Sequence, residues 1–297
     1  ALPLSDVSRL RRPFDLVLLC VKSYDVVWSA HLIAPHLSPR GHVLPVMNAL
    51  NDEAVAQVVG YARTVGCVTA ISAGLYEPGR IVRTDPLTTH AFTVGELCGV
   101  ITPRVRQAVE MFSALGPSEA TANIWGARWA KMVWNCMGNA LAGLLGPGAA
   151  LSPEERALEG LIRAQAAAEA VRVALAQGIA LEPFEGLDLA AFAQAETRAQ
   201  LALVAQQIAQ ANGRRALTAE QIAHLGAPGR ASLLQDVIKG RRTEVDYLNG
   251  HIVALGQHLG VPTPMNAALT AQVHQVEEGA AQPGAAQVAT LAAHLPA

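Results

Sequence analysis

Residues 15–22, DLVLLCVK, are apolar without a break from Leu16 to Val21, between the turn signal of Pro13 and a polar stretch. A run of that length and composition reads as a parallel strand buried on both faces. A helical pattern follows at 24–36. GHVLPVMN (41–48) predicts a second strand, although Pro45 within it removes a ladder donor. NDEAVAQVV (51–59) opens like a capped helix, with Asn51 or Asp52 ahead of the apolar positions. VGCVTAISAG (65–74) predicts a third strand, and the short β-rich segments GRIVRT (79–84) and HAFTVGEL (90–97) predict an antiparallel pair. Residues 103–115 return to helix. Strands that alternate with helices and close on antiparallel strands predict an α/β domain over residues 1–118.

From Asn123 onward the period changes. Ala, Leu, Gln and Glu dominate, and helix periodicity covers 123–145, 153–178, 187–212, 218–224, 232–259 and 266–278. GPGAALSP (146–153), EPFEGLD (182–188) and GAPGR (226–230) punctuate these segments. The Ala/Gln-rich stretch 189–211 has the composition of good helix formers rather than of low complexity. GVPTPMN (260–266) predicts a rigid turn with Asn266 capping the last helix, and the Ala-rich tail from Gly279 is expected to fray. Residues 119–297 therefore read as an all-α domain behind the α/β one.

Composition narrows the partners. A chain of 297 residues fits two domains, and 51% hydrophobic against 15% charged residues supplies material for two cores. Lys plus Arg number 22 and Asp plus Glu 24, so the net charge of −2 offers no electrostatic case for nucleic acid or an anionic membrane surface. Sparse aromatics also argue against base-stacking platforms. A small metabolite remains the reasonable partner, and the Ala-rich helical half could supply a homodimer face. The four cysteines show no CxxC, a reduced, cytosolic pattern that places the chain in the cytoplasm. The nine histidines show neither HxxxH nor HExxH spacing, so no metal site is expected. No 18-residue uncharged apolar run predicts a membrane helix, and ALPLSDVSRLRRPF lacks the order of a signal peptide.

RWAKMVWNCMGNAL (128–141) carries the chemistry. A helix advances about 100° per residue, so Lys131, Asn135 and Asn139, four apart each time, share one narrow stripe among apolar neighbours. A buried ammonium or amide without a partner costs several kcal/mol, so the stripe should face a cavity, a ligand or another polar group. The competing reading is that Lys131 snorkels and the asparagines bond neighbouring helices. An α/β front with a helical back suggests nucleotide chemistry at the cleft between them. The expected phosphate cradle is a GxGxxG between a strand and a helix, and the chain has none; GLLGPG (143–148) follows a helix and contains proline. Either the chain is not a dinucleotide binder or its first βαβ unit is missing.

DLVLLCVKSYDV, VMNALND, WAKMVWNCMGNAL and SLLQDVIKGRRTEVDYLNGHIVALGQHLGVPTPMN together resemble the ketopantoate reductase (2-dehydropantoate 2-reductase) family, over residues 13–275. The last of these motifs is the most specific, and the family's N-terminal Gly-rich unit has no counterpart here. The resemblance implies a partial Rossmann-type dinucleotide-binding domain followed by an all-α substrate domain, and NADPH-dependent reduction of ketopantoate to pantoate. It implies that Lys131 is the catalytic lysine, holding the ketone oxygen and protonating the developing alkoxide. It further implies that Asn135 and Asn139 fix the substrate's hydroxyl and that Glu244 contacts that hydroxyl and Lys131. Ser232 would bind the carboxylate at a helix start, Lys22 would lie near the cofactor's phosphates and ribose, and Asn48 near the nicotinamide.

Plainer readings exist for three of these: Glu244 as a solvated acid paired with Arg241 or Arg242, Ser232 as an N-cap, and Lys22 as a surface lysine. Two departures from the family stand out. Its Gln-Asn-Gly is Met47-Asn48-Ala49 here, which loses the residue that reaches positive φ without cost. A family asparagine in the loop after the catalytic helix has no counterpart in GPGAAL. These leave room for another branched or hydroxylated 2-keto acid as substrate. A chain truly without its Gly-rich loop could instead be a silent binding or dimerising protein, with strand 15–22 exposing an apolar edge.

Overall fold

The computed structural model describes residues 3–225 and 229–296, so most of the expected turn at 226–230 lies outside the described residues. The first apolar run forms β1 (Phe14–Leu19), and a helix α1 (Val26–Ile33), entered by a 3-10 turn at Ser23–Asp25, carries the chain over to β2 (Leu37–Pro45). The two strands pair in parallel, from Leu16 opposite His42 to Leu19 opposite Pro45. Pro45 closes its strand instead of interrupting it, so its missing N–H breaks no interior rung. After α2 (Asp52–Val59) comes β3 (Val65–Thr69), joined to β2 by parallel bridges at Val43–Thr64 and Val46–Cys67. Strand 65–74 is thus shorter than its pattern predicts.

The expected pairing of 79–84 with 90–97 is not the one formed. β4 (Ala73–Glu77) and β5 (Arg80–Arg83) make a hairpin of their own around Pro78-Gly79, with Gly79 at φ 80°. A two-residue connection with glycine in the left-handed region is the local solution, and it outcompetes the more distant partner. β6 (Phe92–Glu96) pairs antiparallel with β3 instead. α3 (Pro103–Ser113) then leads to β7 (Ser118–Ala120), parallel to β6. Phe92 stacks on Phe112 of α3 at 4.1 Å between centroids, inside a core with Leu44, Val65 and Val94. On the other flank Phe14 and Leu18 of β1 are 38% and 41% exposed.

Residue 118, the expected boundary, is the first residue of β7, and the helical half begins with α4 (Ile124–Leu145). α5 (Pro153–Ala176) packs along it, with a capping box in which Ser152 and Glu155 satisfy each other's backbone N–H. The predicted helix 187–212 resolves into a 3-10 turn (Leu189–Gln194) and α6 (Arg198–Arg215), which starts at its own capping box of Thr197 and Gln200. α7 (Ala219–Leu225) follows. The predicted 232–259 splits into α8 (Ser232–Ile238) and α9 (Asn249–Leu259), because Gly240 turns left-handed at φ 60° and ends the first piece.

Asn266 is not the cap of α10 (Pro264–Glu277); Thr263 holds that position. Its amide instead donates to the buried Glu169 of α5 at 2.7 Å, and Glu169 also accepts the backbone N–H of Met265 and Asn266. A buried carboxylate thus takes the free donors of a helix start, although burial still pushes its pKa up against those bonds. Nor does the tail fray: α11 (Ala286–Ala292) buries Val288 and Leu291 against the helical core. Apart from an isolated bridge between Phe184 and Leu187, this half has no β-structure among the described residues.

The first turn of α4 lies against β3 and β6 because both strands present glycine there. A Cβ on Gly95 would stand 2.5 Å from the Thr121 carbonyl oxygen and 3.0 Å from Ile124. Backbone cannot yield as a flexible side chain can, so Gly95→Ala should lower stability by about 2 kcal/mol. Urea unfolding measures it, and a change below about 0.5 kcal/mol would mean that the contact is looser than this.

Candidate functional site

A cavity of ≈ 560 Å³ opens between the α/β half and the helical half. Along α4 its wall is formed by Lys131, Asn135, Gly138, Asn139 and Ala142, the polar stripe read from the sequence. Asn48, from the loop after β2, and Ser232, the first residue of α8, close it from the other sides. Asn135, which is buried, donates to the Asn48 side-chain oxygen at 3.1 Å. Asn139 donates to Ser232 Oγ at 3.3 Å. The asparagines therefore do bond neighbouring elements, as the competing reading holds, but their partners are other residues of the same wall. Lys131 Nζ lies 5.3 Å from the centroid of the Phe184 ring, a distance at which the ring face favours a cation. Ser232 follows the N-cap position, which Ala231 occupies.

The loop holding Asn48 is strained. Ala49 adopts φ 65°, the geometry glycine takes freely and an L-residue takes at a cost of about 1 kcal/mol. Asn51 stands at the N-cap of α2, yet its amide donates to the Asn48 carbonyl oxygen at 2.8 Å and to Ser23 Oγ at 3.0 Å. It braces the loop rather than the helix.

Lys22 is neither a surface lysine nor free toward the cavity. Its ammonium sits between Asp236 Oδ2 at 2.5 Å and Glu244 Oε2 at 2.9 Å, and only 22% of the side chain is exposed. Burial pulls its pKa down, but the Glu244 charge and the hydrogen bonds of both acids overcome this and raise it. Glu244 Oε1 accepts from both the backbone N–H and the hydroxyl of Ser23. Glu244 is thus buried and bonded across the cleft to Lys22 and Ser23, where the resemblance implies Lys131 and the plain reading implies Arg241 or Arg242. Arg241 pairs instead with Asp236, at 2.6 Å.

Sequence reasoning passed over Asp236 and Ser23, although the first lies in the quoted C-terminal motif and the second beside Lys22. It also passed over Arg128, whose signal was an arginine inside an apolar helix. Arg128 is 3% exposed and donates to the carbonyls of Pro45 and Met47 at 2.9 Å each and to Asp52 Oδ1 at 2.7 Å. Burial raises the Asp52 pKa against the pull of Arg128. Removing one member of such a pair leaves a buried charge. Arg128→Met should cost about 3–5 kcal/mol in urea unfolding, with Asp52→Asn added to it recovering part of the loss. A single variant within 1 kcal/mol of the parent would contradict this.

Glu244 is also flanked by a titrating clamp. Glu277 accepts the backbone N–H of Thr243 at 2.6 Å and meets His274 Nδ1 at 3.0 Å, while His274 Nε2 meets Asp246 at 2.8 Å. Burial lowers the His274 pKa, but Asp246 and Glu277 together outweigh it, so the net shift is upward. The folded state then binds the proton more tightly than the unfolded chain. The clamp's stabilisation is complete below about pH 6.5, the unfolded imidazole value, and fades as pH rises through the higher folded value. The stability difference between the parent and His274→Gln should shrink along that direction of pH, and a difference that grows instead would refute the assignment.

A second cavity of ≈ 500 Å³, lined by His90, Glu119, Glu182, Phe184 and Arg214, gathers none of the expected site residues. Among the described residues no helix is long and apolar enough to cross a membrane. Nor does any group of three or more His, Cys, Asp or Glu there stand where it could hold a metal ion.

Two family models match this chain. One, for ketopantoate reductase PanE/ApbA, covers residues 3–97, and one for its C terminal part covers residues 123–277. The 2-dehydropantoate 2-reductase of Archaeoglobus fulgidus is 26% identical over 268 residues, 89% of this chain and 77% of that protein. The Halobacterium salinarum protein of the same name is 28% identical over 84% of this chain and 72% of its own length. Among solved structures, a PanE/ApbA family ketopantoate reductase from Ralstonia eutropha superimposes with a TM-score of 0.65 at 26% identity, covering 93% of this chain and 79% of the other. D-mandelate dehydrogenase, solved with NADH and anilino(oxo)acetate, shares the fold at a TM-score of 0.65 and 20% identity, over 92% of this chain and 79% of that one.

Proposed function

The chain belongs to the ketopantoate reductase family, an oxidoreductase family acting on a CH–OH group, and from that premise we propose that it reduces ketopantoate to pantoate with NADPH. The observation that carries this reading is the assembly of Lys131, Asn135, Asn139, Ser232 and Asn48 around one cavity from three separate parts of the chain. The half-buried Lys131 ammonium would donate to the ketone oxygen, where a hydrogen bond from a charged donor is stronger than in water. It then passes its proton to that oxygen as negative charge develops there. Asn135 and Asn139 would orient the substrate's hydroxyl. Ser232 accepts from Asn139, which leaves its own O–H to donate to the carboxylate.

For a nicotinamide cofactor, Asn48 at the cavity and Lys22 beyond the end of β1 stand where ligands of open sheets bind, outside the carboxyl ends of strands. They would hold its nicotinamide and ribose end, and the bound group supplies the hydride. No glycine-rich cradle for its phosphates lies between a strand and a helix of the described residues. Glu244 ties the cofactor-side lysine to the helical half through its bonds to Lys22 and Ser23. NADPH rather than NADH follows the family resemblance, and a cytoplasmic setting follows the free cysteines.

A second reading keeps this chemistry with another branched or hydroxylated 2-keto acid. It is favoured by Ala49 in the left-handed region and by the loop GPGAAL without the family's asparagine. Comparing kcat/KM across a panel of such acids separates the two.

Lys131→Ala should retain the parent's circular dichroism and lose about 10³-fold in kcat, followed by cofactor absorbance with ketopantoate. Turnover comparable to the parent's would sink the assignment.

A further inference from the structure

The cavity holds a cation that neither the family motifs nor the polar stripe accounts for. Arg163 projects from α5 into the same wall as Asn135 and Asn139. It reaches α4 at the residue between them that has no side chain: a Cβ on Gly138 would stand 3.2 Å from Arg163 Nη1. Gly138 thus leaves the guanidinium room beside the stripe, next in sequence to Asn139, which holds Ser232.

How the guanidinium is held shows which side it offers. Glu159, one turn earlier on α5, accepts from Nε at 2.8 Å and from Nη2 at 2.6 Å, both at the single oxygen Oε1. That occupies the lateral edge and fixes the plane. At the end of the fork, Nη1 has only a 3.4 Å contact to the Met137 carbonyl, long for such a bond. The Nη1/Nη2 end therefore keeps N–H capacity in a geometry that matches a planar carboxylate.

We infer that Arg163 is a substrate-binding residue, receiving the carboxylate of the 2-keto acid at the end of its fork, beside Ser232. This rests on the reductase reading of the cavity and deepens it. A serine hydroxyl alone compensates a partly desolvated carboxylate poorly, whereas an oriented guanidinium supplies charge and two donors. With Lys131 engaged at the ketone, two further cations line the cavity, Arg163 and Arg230; Arg230 lies over the Tyr76 ring, 5.1 Å from its centroid, whereas Arg163 stands beside the stripe at Gly138. Glu159 holds the arginine in plane and serves as a positioning residue.

The test uses the full protein and two substrates, 3,3-dimethyl-2-oxobutanoate and its uncharged methyl ester, each with NADPH. The parent should favour the acid in kcat/KM. Arg163→Met should raise KM for the acid about 100-fold, leave kcat within a few-fold, and leave the ester's kcat/KM unchanged. Arg163→Lys should restore part of the acid preference. Equal losses on acid and ester, or an acid preference that survives in Arg163→Met, would overturn the inference. Calorimetric titration with 2-hydroxy-3,3-dimethylbutanoate separates the two readings. If the parent turns over neither substrate yet binds this acid, and Arg163→Met does not, the reductase reading falls while the carboxylate site stands. If the parent neither turns over nor binds, both fall.

Discussion

One buried cation sets the geometry of the site. Arg128 carries three hydrogen bonds at once, two to carbonyls where β2 ends and one to the first turn of α2. These targets lie in the α/β half, while the arginine stands on the helix whose next turn presents Lys131. Because the bonds come from different directions, they restrain both the axial position and the rotation of α4. Asn135 can then meet Asn48 across the cleft without searching for it. Burying a charge is unfavourable in itself, so the arrangement persists only because nearly every polar edge of the guanidinium is answered.

A second tie joins the two halves. Lys22 and Ser23 reach from the end of β1 to Asp236 and Glu244, and Asn51 links that cluster back to the Asn48 loop. The polar stripe of α4 thus belongs to a helix tied to the α/β half by a deeply buried clasp, with a second, more exposed clasp at Lys22. In the more exposed clasp, the lysine assigned to the cofactor is also a strut of the protein, and a ligand arriving there meets an ammonium already shared by two carboxylates. The same three side chains, Lys22, Asp236 and Glu244, tie the two halves together at that end.

Much of this was legible in the sequence where the determinants are local. The four-residue spacing of Lys131, Asn135 and Asn139 needed only the pitch of a helix to predict a common face, and the unbroken run from Leu16 to Val21 needed only its composition to predict β1. Features that depend on distant partners were not legible. Asn266 looks like a cap until Glu169, on another helix, claims its amide. The partner of β5 was decided by a two-residue turn whose competitor lay farther along the chain. Helix 232–259 divides because Asp236 is drawn toward Lys22 and Arg241 while Gly240 permits the reversal. Arg163 was invisible for the same reason: an arginine in a helix acquires meaning only from the glycine it faces on another.

The seating of α4 on glycine-bearing strands bears on what counts as a module in this protein. By composition the chain changes character near residue 118, and a gene cut there would look natural. Physically the first turn of α4 belongs to the sheet, through Gly66 and Gly95, and its later turns belong to the helical core. Neither half can be traded for a foreign counterpart without carrying part of that one helix along. Recombination between such halves, in the laboratory or in evolution, is then confined to crossover points beyond the shared helix, so the family should diversify by substitution around the cleft more readily than by exchange of its halves.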